Sequence, residues 1–546
     1  MLFHKKSIKL TSSLEKKNST DVLKRSNREA EEILQYILLI RRPPTKAMKP
    51  YILLARSELP IKKIQKALKP TYSWQSRIDE KQEAKILDTF DEELRKTGRI
   101  LLQTEQAIIL IDLKTGASRE QRGKIELQCW PELPAGPVKE ALETVSPLRA
   151  FLPRTEISLQ LQAHTMLDDE GKTVARLGST LLRRKKRRVQ IAISQPLRGY
   201  DEAHQILVEA LSSPVEEKEE DIYSLLQIAS LAYEAKPTIP LQAETPIQET
   251  SNRIINTFIA VARRNEIGIR ADYDSEFLHD YRVSLRKVRS VISLFKGVYS
   301  LADTAYLKTE FSEIMQATGR LRDLDVYLLD KDLYFKLVPK STHEGLKILF
   351  AAFTRERKLL HSSLCKELQN KAYTRRMKSL QDGFANNSWI WGEKAQIPSA
   401  LFAKKVIFSR YKKVCRIAAS IDDSTADAIV HELRIHCKKL RYLLEFFTPV
   451  FSQGSVKSII KSLKMLQDNL GRFNDYSVQQ ISLGTFLETA DIKGRDGKKL
   501  AEGIGALRAM LNLCQQKERA LVTKNFKNFN SPRTADLVSE LFSTKG

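Results

Sequence analysis

Two segments of this chain each place one histidine and three cationic side chains at the spacing 3, 4 and 3. The first set is His279, Arg282, Arg286 and Arg289, and the second is His431, Arg434, Lys438 and Arg441. On an α-helix, at about 100° per residue, this spacing puts each set on one narrow stripe. Arginine forks match phosphate oxygens and lysine supplies a mobile point charge, so each stripe is suited to bind an anion.

An apolar stripe runs beside each cationic stripe. In the first segment it consists of Leu278, Tyr281, Leu285, Val288, Ile292 and Phe295, and in the second of Leu433, Cys437, Leu440, Leu444 and Phe447. This pattern predicts two helices that pack by one face and present charge on the next. Like charges at this spacing destabilise a helix slightly. The alternative is that each basic face is simply solvated. The recurrence of the same pattern in two segments weakens that alternative.

The two segments belong to an internal repeat with an offset of 152 residues. A second pair of motifs keeps the same offset, since Gly319-Arg320-Leu321-Arg322-Asp323 recurs as Gly471-Arg472-Phe473-Asn474-Asp475. Two separate motifs at one offset predict a duplicated unit, with two copies of one binding element in one domain.

Acidic residues follow both histidine segments. Asp323, Asp325 and Asp475 have side chains that could ligate a metal or pair with nearby arginines. We favour arginine pairs that hold the helices in register, and we predict no metal site.

The composition indicates a polyanionic partner. Among the 546 residues, 91 Lys and Arg outnumber 66 Asp and Glu, and the formal net charge is +25. Such a surplus suits nucleic acid, an anionic membrane or inorganic polyphosphate. The sequence contains neither an apolar run of transmembrane length nor a secretory signal pattern, so we expect no membrane association. Five dispersed cysteines without a CxxC pair favour a reducing compartment over a disulfide framework or structural zinc.

Composition and periodicity divide the chain into four parts. Residues 1–45 are a polar extension with a possible helix over 21–40, and residues 46–211 alternate short strands with turns and read as α+β. Strands are predicted over 108–113, 124–127, 156–161 and 189–193, with helices over 58–68 and 199–211 and a hairpin turn at 168–171. Residues 212–246 are a linker with one helix over 221–235. Residues 247–546 are all-α, with repeats at about 247–398 and 399–546.

The duplicated motifs resemble the CHAD domain, the conserved histidine α-helical domain. The resemblance rests on His279-x-x-Arg282-Val283-x-x-Arg286-Lys287-x-Arg289, Leu321-Arg322-Asp323-Leu324-Asp325, His431-x-x-Arg434-x-x-x-Lys438-Lys439-Leu440-Arg441 and Leu470-Gly471-Arg472-Phe473-Asn474-Asp475. It implies two four-helix bundles related by pseudo-twofold symmetry. It also implies that the histidine helices line a central basic groove that binds inorganic polyphosphate, with Lys287 and Lys439 among the binding residues.

The region before it looks like a CYTH domain, the triphosphate tunnel fold. This looser resemblance rests on Lys85-Ile86-Leu87-Asp88-Thr89-Phe90-Asp91, Gly98-Arg99-Ile100-Leu101-Leu102 and Leu197-Arg198-Gly199-Tyr200-Asp201. Catalytic members open with an ExExK strand, whereas the corresponding strand here reads Lys49-Pro50-Tyr51-Ile52-Leu53-Leu54-Ala55-Arg56. Without those carboxylates, divalent cations lose their oxygen ligands. The resemblance therefore implies a degenerate, strand-rich barrel without catalytic residues or cofactor.

One run of six consecutive cations lies in this region. It consists of Arg183, Arg184, Lys185, Lys186, Arg187 and Arg188. If the run is a strand, only alternate side chains face the same side. It is either a secondary contact for polyphosphate or nucleic acid, or a hairpin edge whose charge protects it from aggregation.

These features favour a non-enzymatic polyphosphate-binding protein of the cytoplasm, located at polyphosphate granules. The first alternative is an enzyme that processes polyphosphate or triphosphate with the CYTH-like region. The second alternative is a nucleic-acid-binding protein, which the net charge permits, although no RNA- or DNA-binding module is recognisable. Chain-length preference, oligomeric state and protein partners do not follow from the sequence.

Overall fold

The protein divides into two compact units after Ala232 in a computed structural model that describes residues 49–68, 70–212, 221–422 and 424–543. We call the first the sheet unit and the second the helical unit. The predicted extension over residues 1–45, with its helix, lies outside the described residues. The four predicted domain limits stay predictions.

In the described part of the sheet unit, nine strands form one antiparallel sheet. They are β1 (Tyr51–Ala55), β2 (Ser73–Ile78), β3 (Gln82–Asp88), β4 (Arg99–Gln103), β5 (Ala107–Asp112), β6 (Ser118–Arg122), β7 (Leu152–Leu167), β8 (Thr173–Arg184) and β9 (Arg187–Gln195). The strand order is β1-β9-β8-β7-β3-β4-β5-β6, and β2 also pairs with β7. The predicted turn after β7 is confirmed, because Gly171 N donates to Asp168 O and Gly171 has φ +76°.

Short helices flank this sheet. They are α1 (Ile61–Ala67), α2 (Glu93–Thr97), α3 (Pro137–Ala141), α4 (Asp201–Ser212) and α5 (Ile222–Leu225). One apolar cluster combines side chains from both ends of the strand order, such as Ile109 of β5 and Ile191 of β9. The sheet therefore curves around this cluster, and Tyr223 and Leu226 at α5 pack into it.

Two predicted elements of this unit were wrong. Residues 124–127 are not a strand, and Leu127 has φ 52°, which an extended strand cannot contain. The helix predicted over 221–235 is only the single turn α5. Arg184 Nη1 donates to the carbonyl oxygens of Leu226 and Gln227 at 3.0 Å each, and Gln227 has φ 54°, so the chain leaves the helix there.

The helical unit contains thirteen helices in its described residues. They are α6 (Ile247–Ala271), α7 (Ser275–Leu294), α8 (Leu301–Gln316), α9 (Gly319–Leu329), α10 (Lys331–Leu337), α11 (His343–Gln369), α12 (Lys371–Ala385), α13 (Ser399–Ala419), α14 (Asp427–Phe447), α15 (Gln453–Thr489), α16 (Gly494–Ala520), α17 (Val522–Phe529) and α18 (Pro532–Phe542). The predicted fold class, an α+β strand-rich domain followed by an all-α domain, is confirmed. Among the described residues, no helix combines the length and the apolar composition needed to cross a membrane.

The helix limits reproduce the sequence repeat. Helices α6, α7 and α8 begin at residues 247, 275 and 301, and α13, α14 and α15 begin 152 residues later in each case. The first half breaks into α8 and α9 near Thr318, whereas α15 continues through the equivalent position. Four long helices thus build each half, if α8 and α9 are counted as one broken helix.

Reciprocal contacts relate the two halves. Ile247 N donates to Ile397 O and Ser399 N donates to Thr245 O, both at 2.9 Å, and these two bonds are equivalent under the offset. The rings of Phe295 and Phe447, which are also equivalent, stack with centroids 5.3 Å apart. Under a twofold axis, a contact between two residues implies the same contact between their two equivalents. The two repeats are therefore related by pseudo-twofold symmetry.

The stacked phenylalanines at this axis should dominate the stability of the helical unit. Both rings are buried, so Phe447→Ala should lower the free energy of unfolding by about 3–5 kcal/mol through lost burial and a residual cavity. Leu301→Ala is the control, since Leu301 is 90% exposed and should change the value by less than about 0.5 kcal/mol. Chemical denaturation followed by circular dichroism measures both, and equal losses would contradict a packed axis.

Candidate functional site

A carboxylate lies at the N-terminus of each helix that bears a cationic stripe. Asp274 caps α7, because its Oδ1 accepts from Glu276 N at 2.9 Å and Phe277 N at 3.3 Å. The first residue of α14, Asp427, accepts from Gln515 Nε2 at 2.8 Å and from the Arg519 guanidinium. A carboxylate near a helix N-terminus also stabilises the helix dipole.

The predicted apolar stripes on both helices are confirmed as buried. All eleven side chains named for them are no more than 4% exposed. The burial fixes the rotation of α7 and α14, so the cationic stripes are left at the edge of the packed core. Their side chains are half-buried, apart from the exposed His431.

The two stripes meet, and their charges repel across the helix pair. The pKa of Lys438 is lowered to about 8 by burial, then by Arg434, Arg286 and Arg441, with Asp475 opposing. Burial also lowers the pKa of Arg434, and Arg286 adds to that effect. Arg286 belongs to α7, whereas the cations Arg434, Lys438 and Arg441 belong to α14. One site therefore combines both repeats. We call its six cations the basic groove: Arg282, Arg286, Arg289, Arg434, Lys438 and Arg441.

The groove cations form few hydrogen bonds with protein acceptors, and some of their N–H donors have no partner among the described residues. Arg434 Nη2 lies 3.4 Å from Asp475 Oδ1, and Arg441 Nε lies 2.6 Å from Glu445 Oε1. The Nε groups of Arg286 and Arg434 are buried without a hydrogen-bond partner among the described residues. A buried donor without an acceptor costs about 1–3 kcal/mol, which a bound oxyanion would recover.

An open cleft of about 770 Å³ adjoins the α7 stripe. Its wall includes Arg282, Arg289, Lys308, Ser312 and Gly319. Arg282 Nη1 donates to Thr318 Oγ1 and so is anchored at the break between α8 and α9. Lys308 was missed by the sequence reasoning, because it lies outside both repeated motifs.

The two motif histidines have different surroundings. His431 Nδ1 lies 2.6 Å from Asn474 Oδ1, which makes Nδ1 the donor. His279 lies with Glu276 and Asp280, and ligand atoms of these three residues are within 4.8 Å of one another. Tyr233 OH donates to Asp280 at 2.9 Å, and Arg322 lies 3.6 Å from Glu276, so both carboxylates already have protein partners.

Lys287 and Lys439 directly follow groove cations and point to other faces of their helices. Lys287 is 7% exposed, its Nζ is 3.6 Å from Glu445 Oε2, and it sits 4.5 Å from the centre of the Phe258 ring. Lys439 has other cations as neighbours, namely Arg410, Lys413 and Lys296. Lys287 thus adjoins the groove through Glu445, which also pairs with Arg441, whereas Lys439 belongs to a separate group of cations; binding by either lysine stays a prediction.

The structure places arginines beside the three acidic residues. Arg357 Nε donates to Asp325 Oδ1 at 2.7 Å, and the same guanidinium makes two 2.7 Å bonds to Asp272. This arrangement ties α9 to α11. Asp323 is exposed and within electrostatic reach of Arg282, Arg320 and Arg322, and Asp475 pairs with Arg434.

The run of six cations forms the hairpin between β8 and β9. Arg183 is in register with Arg188, and Arg184 with Arg187, so the turn is Lys185-Lys186. Arg183 Nη2 donates to Glu58 Oε1 at 2.8 Å, and Arg184 donates to Thr155 and to backbone carbonyls. Lys185, Lys186, Arg187 and Arg188 are exposed, and Arg188 Nη1 lies 3.5 Å from the same Glu58 Oε1.

Comparison with known proteins finds a family match within the helical unit. Residues 253–484 match the family model of the CHAD domain. A solved CHAD domain from the plant Ricinus communis is similar at 25% identity and a TM-score of 0.46, over 56% of this chain and 98% of that chain. PptA from Streptomyces chartreusis is similar at 14% identity and a TM-score of 0.40, over 52% of this chain and all of that chain. No curated protein matches the chain.

The lowered pKa of Lys438 gives a pH-dependent stability. Below about pH 8 the folded protein must keep this amine charged among other cations, whereas the unfolded chain keeps it charged up to its ordinary value of 10.5. Lys438→Met should therefore raise the free energy of unfolding by about 1–2 kcal/mol at pH 7, after allowance for solvent screening. The gain should shrink as pH rises from 8 to 10.5, because the wild type regains stability there.

Denaturant titrations at pH 7 and pH 10 test this expectation. Lys524→Met is the matched control, since Lys524 is an exposed lysine on α17. A gain that is absent at pH 7, or that does not change with pH, would show that Lys438 is not repelled by the groove.

Proposed function

We propose that the CHAD domain of this chain, which spans residues 253–484, binds inorganic polyphosphate along the basic groove. The observation that carries the proposal is the convergence of cations from two equivalent helices. Arg286 of α7 lowers the pKa of both Arg434 and Lys438 of α14. Such mutual repulsion is relieved by an anion that touches both helices at once.

A linear chain of phosphates fits this site better than a single small anion. The groove cations repeat on two helices, so the ligand must offer negative charge over a comparable length. Arginine supplies forked donors for phosphate oxygens, and four or more unshared charges remain after the pairs with Asp475 and Glu445. The buried Nε donors of Arg286 and Arg434 would then find acceptors.

Nucleic acid is the second candidate, and the net charge of +25 favours it. Single strands are usually held by aromatic side chains on which bases stack. The aromatic residues next to the α7 stripe, Tyr281 and Phe295, are buried and cannot act as stacking platforms. Competition of labelled polyphosphate against duplex and single-stranded DNA at one salt concentration separates the two ligands.

The sheet unit, by our proposal, does not hydrolyse triphosphates. The cluster enclosed by its sheet is apolar, with Ile86, Ile100 and Leu182 among its members, and Tyr223 fills part of it. Asp88 in the CYTH-like segment accepts from the backbone N–H groups of Thr89, Leu94 and Arg95 and from Tyr223 OH. This carboxylate is a buried structural cap, which differs from an exposed metal ligand.

A polyphosphate-binding protein without its own catalysis is suited to polyphosphate granules, and we propose a cytoplasmic location at such granules. The five free cysteines agree with a reducing compartment.

Loss of either stripe should weaken polyphosphate binding. The triple variants Arg282→Ala, Arg286→Ala, Arg289→Ala and Arg434→Ala, Lys438→Ala, Arg441→Ala each remove half of the groove. Charge-assisted bonds contribute about 1.5–3 kcal/mol each, so either variant should lower long-chain affinity at least about tenfold. The triple variant of Lys524, Lys527 and Arg533 to alanine removes the same charge from exposed positions on α17 and α18 and is the control.

Isothermal titration measures these affinities after circular dichroism has shown native helix content. Wild-type affinity in both folded groove variants, or an equal loss in the control, would refute binding by the groove.

Incubation with tripolyphosphate and Mg²⁺ or Mn²⁺ should release no phosphate above the level without protein. The expectation follows from the missing ExExK motif and from the pairing of Glu58 with Arg183 and of Glu156 with Lys85, which engages two carboxylates that could replace it. EDTA-sensitive release that disappears on Glu58→Gln or Glu156→Gln would favour the enzymatic alternative instead.

A further inference from the structure

A second group of cations lies where α13, α14 and the end of α7 come together. Burial lowers the pKa of Lys439, and Arg410, Lys413 and Lys296 lower it further, which places four positive charges within electrostatic reach of one another. Lys439 directly follows Lys438, and adjacent helical residues point about 100° apart. The group therefore occupies a different face of α14 from the basic groove.

Arg410 is positioned by a neutral histidine. Its Nη1 lies 2.5 Å from His436 Nδ1, and His436 is 6% exposed. Burial, followed by Arg410, Lys413 and Lys439, lowers the pKa of His436 to about 4, so the neutral ring accepts a hydrogen bond from Arg410. The Nε of Arg410 is buried and has no hydrogen-bond partner among the described residues.

Glu432 is the carboxylate that contacts this group in the described part of the chain. Its Oε1 lies 3.4 Å from Lys413 Nζ and 3.5 Å from His436 Nε2. One carboxylate against four cations leaves a surplus of positive charge. Arg410 forms no ion pair with any residue that the structure describes, although its guanidinium is partly buried.

The duplication does not account for these charges. The residues 152 positions before Arg410 and Lys413 are Phe258 and Val261, which are buried. The equivalent of Lys439 is Lys287, which pairs with Glu445. The first repeat thus packs this location with apolar side chains and one ion pair, whereas the second repeat places three cations there, of which Lys413 pairs with Glu432. The fourth cation, Lys296, comes from the first repeat, and the residue 152 positions after it is Thr448, so the duplication gives no matching group on the other side of the axis.

We propose that Arg410, Lys413, Lys439 and Lys296 form a second phosphate-binding subsite, separate from the basic groove. The ligand is a phosphate group, either from a condensed phosphate chain or from free orthophosphate. The choice of condensed phosphate rests on the proposed function, while the subsite itself rests on the buried Nε donor of Arg410 and the surplus of positive charge around it. Arg410 supplies the buried donor, and the three lysines neutralise the charge of the ligand.

The test is the number of tripolyphosphate molecules bound per chain, measured by isothermal titration on the full-length protein. The subsite variant is Lys296→Gln, Lys413→Gln, Lys439→Gln, which leaves Arg410 and its bond to His436 in place. The control is Lys524→Gln, Lys527→Gln, Arg533→Gln. The subsite variant should bind one fewer tripolyphosphate than the wild type, and the control should bind the wild-type number.

The outcomes separate this inference from the proposed function. If the subsite variant keeps the wild-type number and affinity, the second subsite is wrong and the groove proposal stands. If both groove variants bind as well as the wild type while the subsite variant loses a molecule, the groove proposal fails and the subsite stands. A parallel titration with orthophosphate assigns the source: loss of its binding in the subsite variant assigns free phosphate, and loss of tripolyphosphate alone assigns the condensed chain.

Discussion

The central constraint in this molecule is that like charges from two helices are held together against their mutual repulsion. The repulsion is visible at Lys438, whose pKa is lowered to about 8 by burial and neighbouring cations. The apolar stripes behind the cations oppose it, because their burial fixes the rotation of α7 and α14. The stacked rings of Phe295 and Phe447 fix the two helices at the pseudo-twofold axis. The packed helix pair can therefore hold a density of like charge that would destabilise an isolated helix. An anion that bridges the two helices would relieve the repulsion.

Duplication explains the groove, and divergence explains the rest of the helical unit. The reciprocal hydrogen bonds at Ile247 and Ser399 show that the two copies still pack as equivalents. Away from the axis the copies differ, since the first half breaks near Thr318 and places the Arg282 guanidinium on that threonine, while α15 runs on without a break. The same position carries a paired Lys287 in one copy and a Lys439 among cations in the other. The proposed subsite combines Arg410, Lys413 and Lys439 of the second repeat with Lys296 of the first, and it has no counterpart across the pseudo-twofold axis.

The sequence predicts the helical unit well, because its information is periodic and repeated. Spacing alone identifies the buried apolar stripes and the half-buried cationic stripes beside them. It cannot place Lys287 and Lys439, because a side chain that directly follows a stripe residue points to another face, and its partners come from helices distant in sequence. Arg410 and Lys308 were missed for the same reason, since each comes near these cations only through tertiary packing. In the sheet unit, the sequence pattern predicts β5, β7 and β9. It does not predict that α5 is short, because the carbonyl oxygens that follow α5 accept hydrogen bonds from Arg184, which is distant in sequence.

The salt dependence of polyphosphate affinity tests the central claim most directly. Each phosphate neutralised by a cation releases condensed counterions, and for nucleic acids the slope of log affinity against log salt is about 0.7–0.9 per contact. If the six groove cations act together, the wild-type slope should be about −4 to −5, and removal of one stripe should reduce its magnitude by about half. A slope near zero, or a steep slope that stays the same when a stripe is removed, would contradict an account in which both helices hold one polyanion.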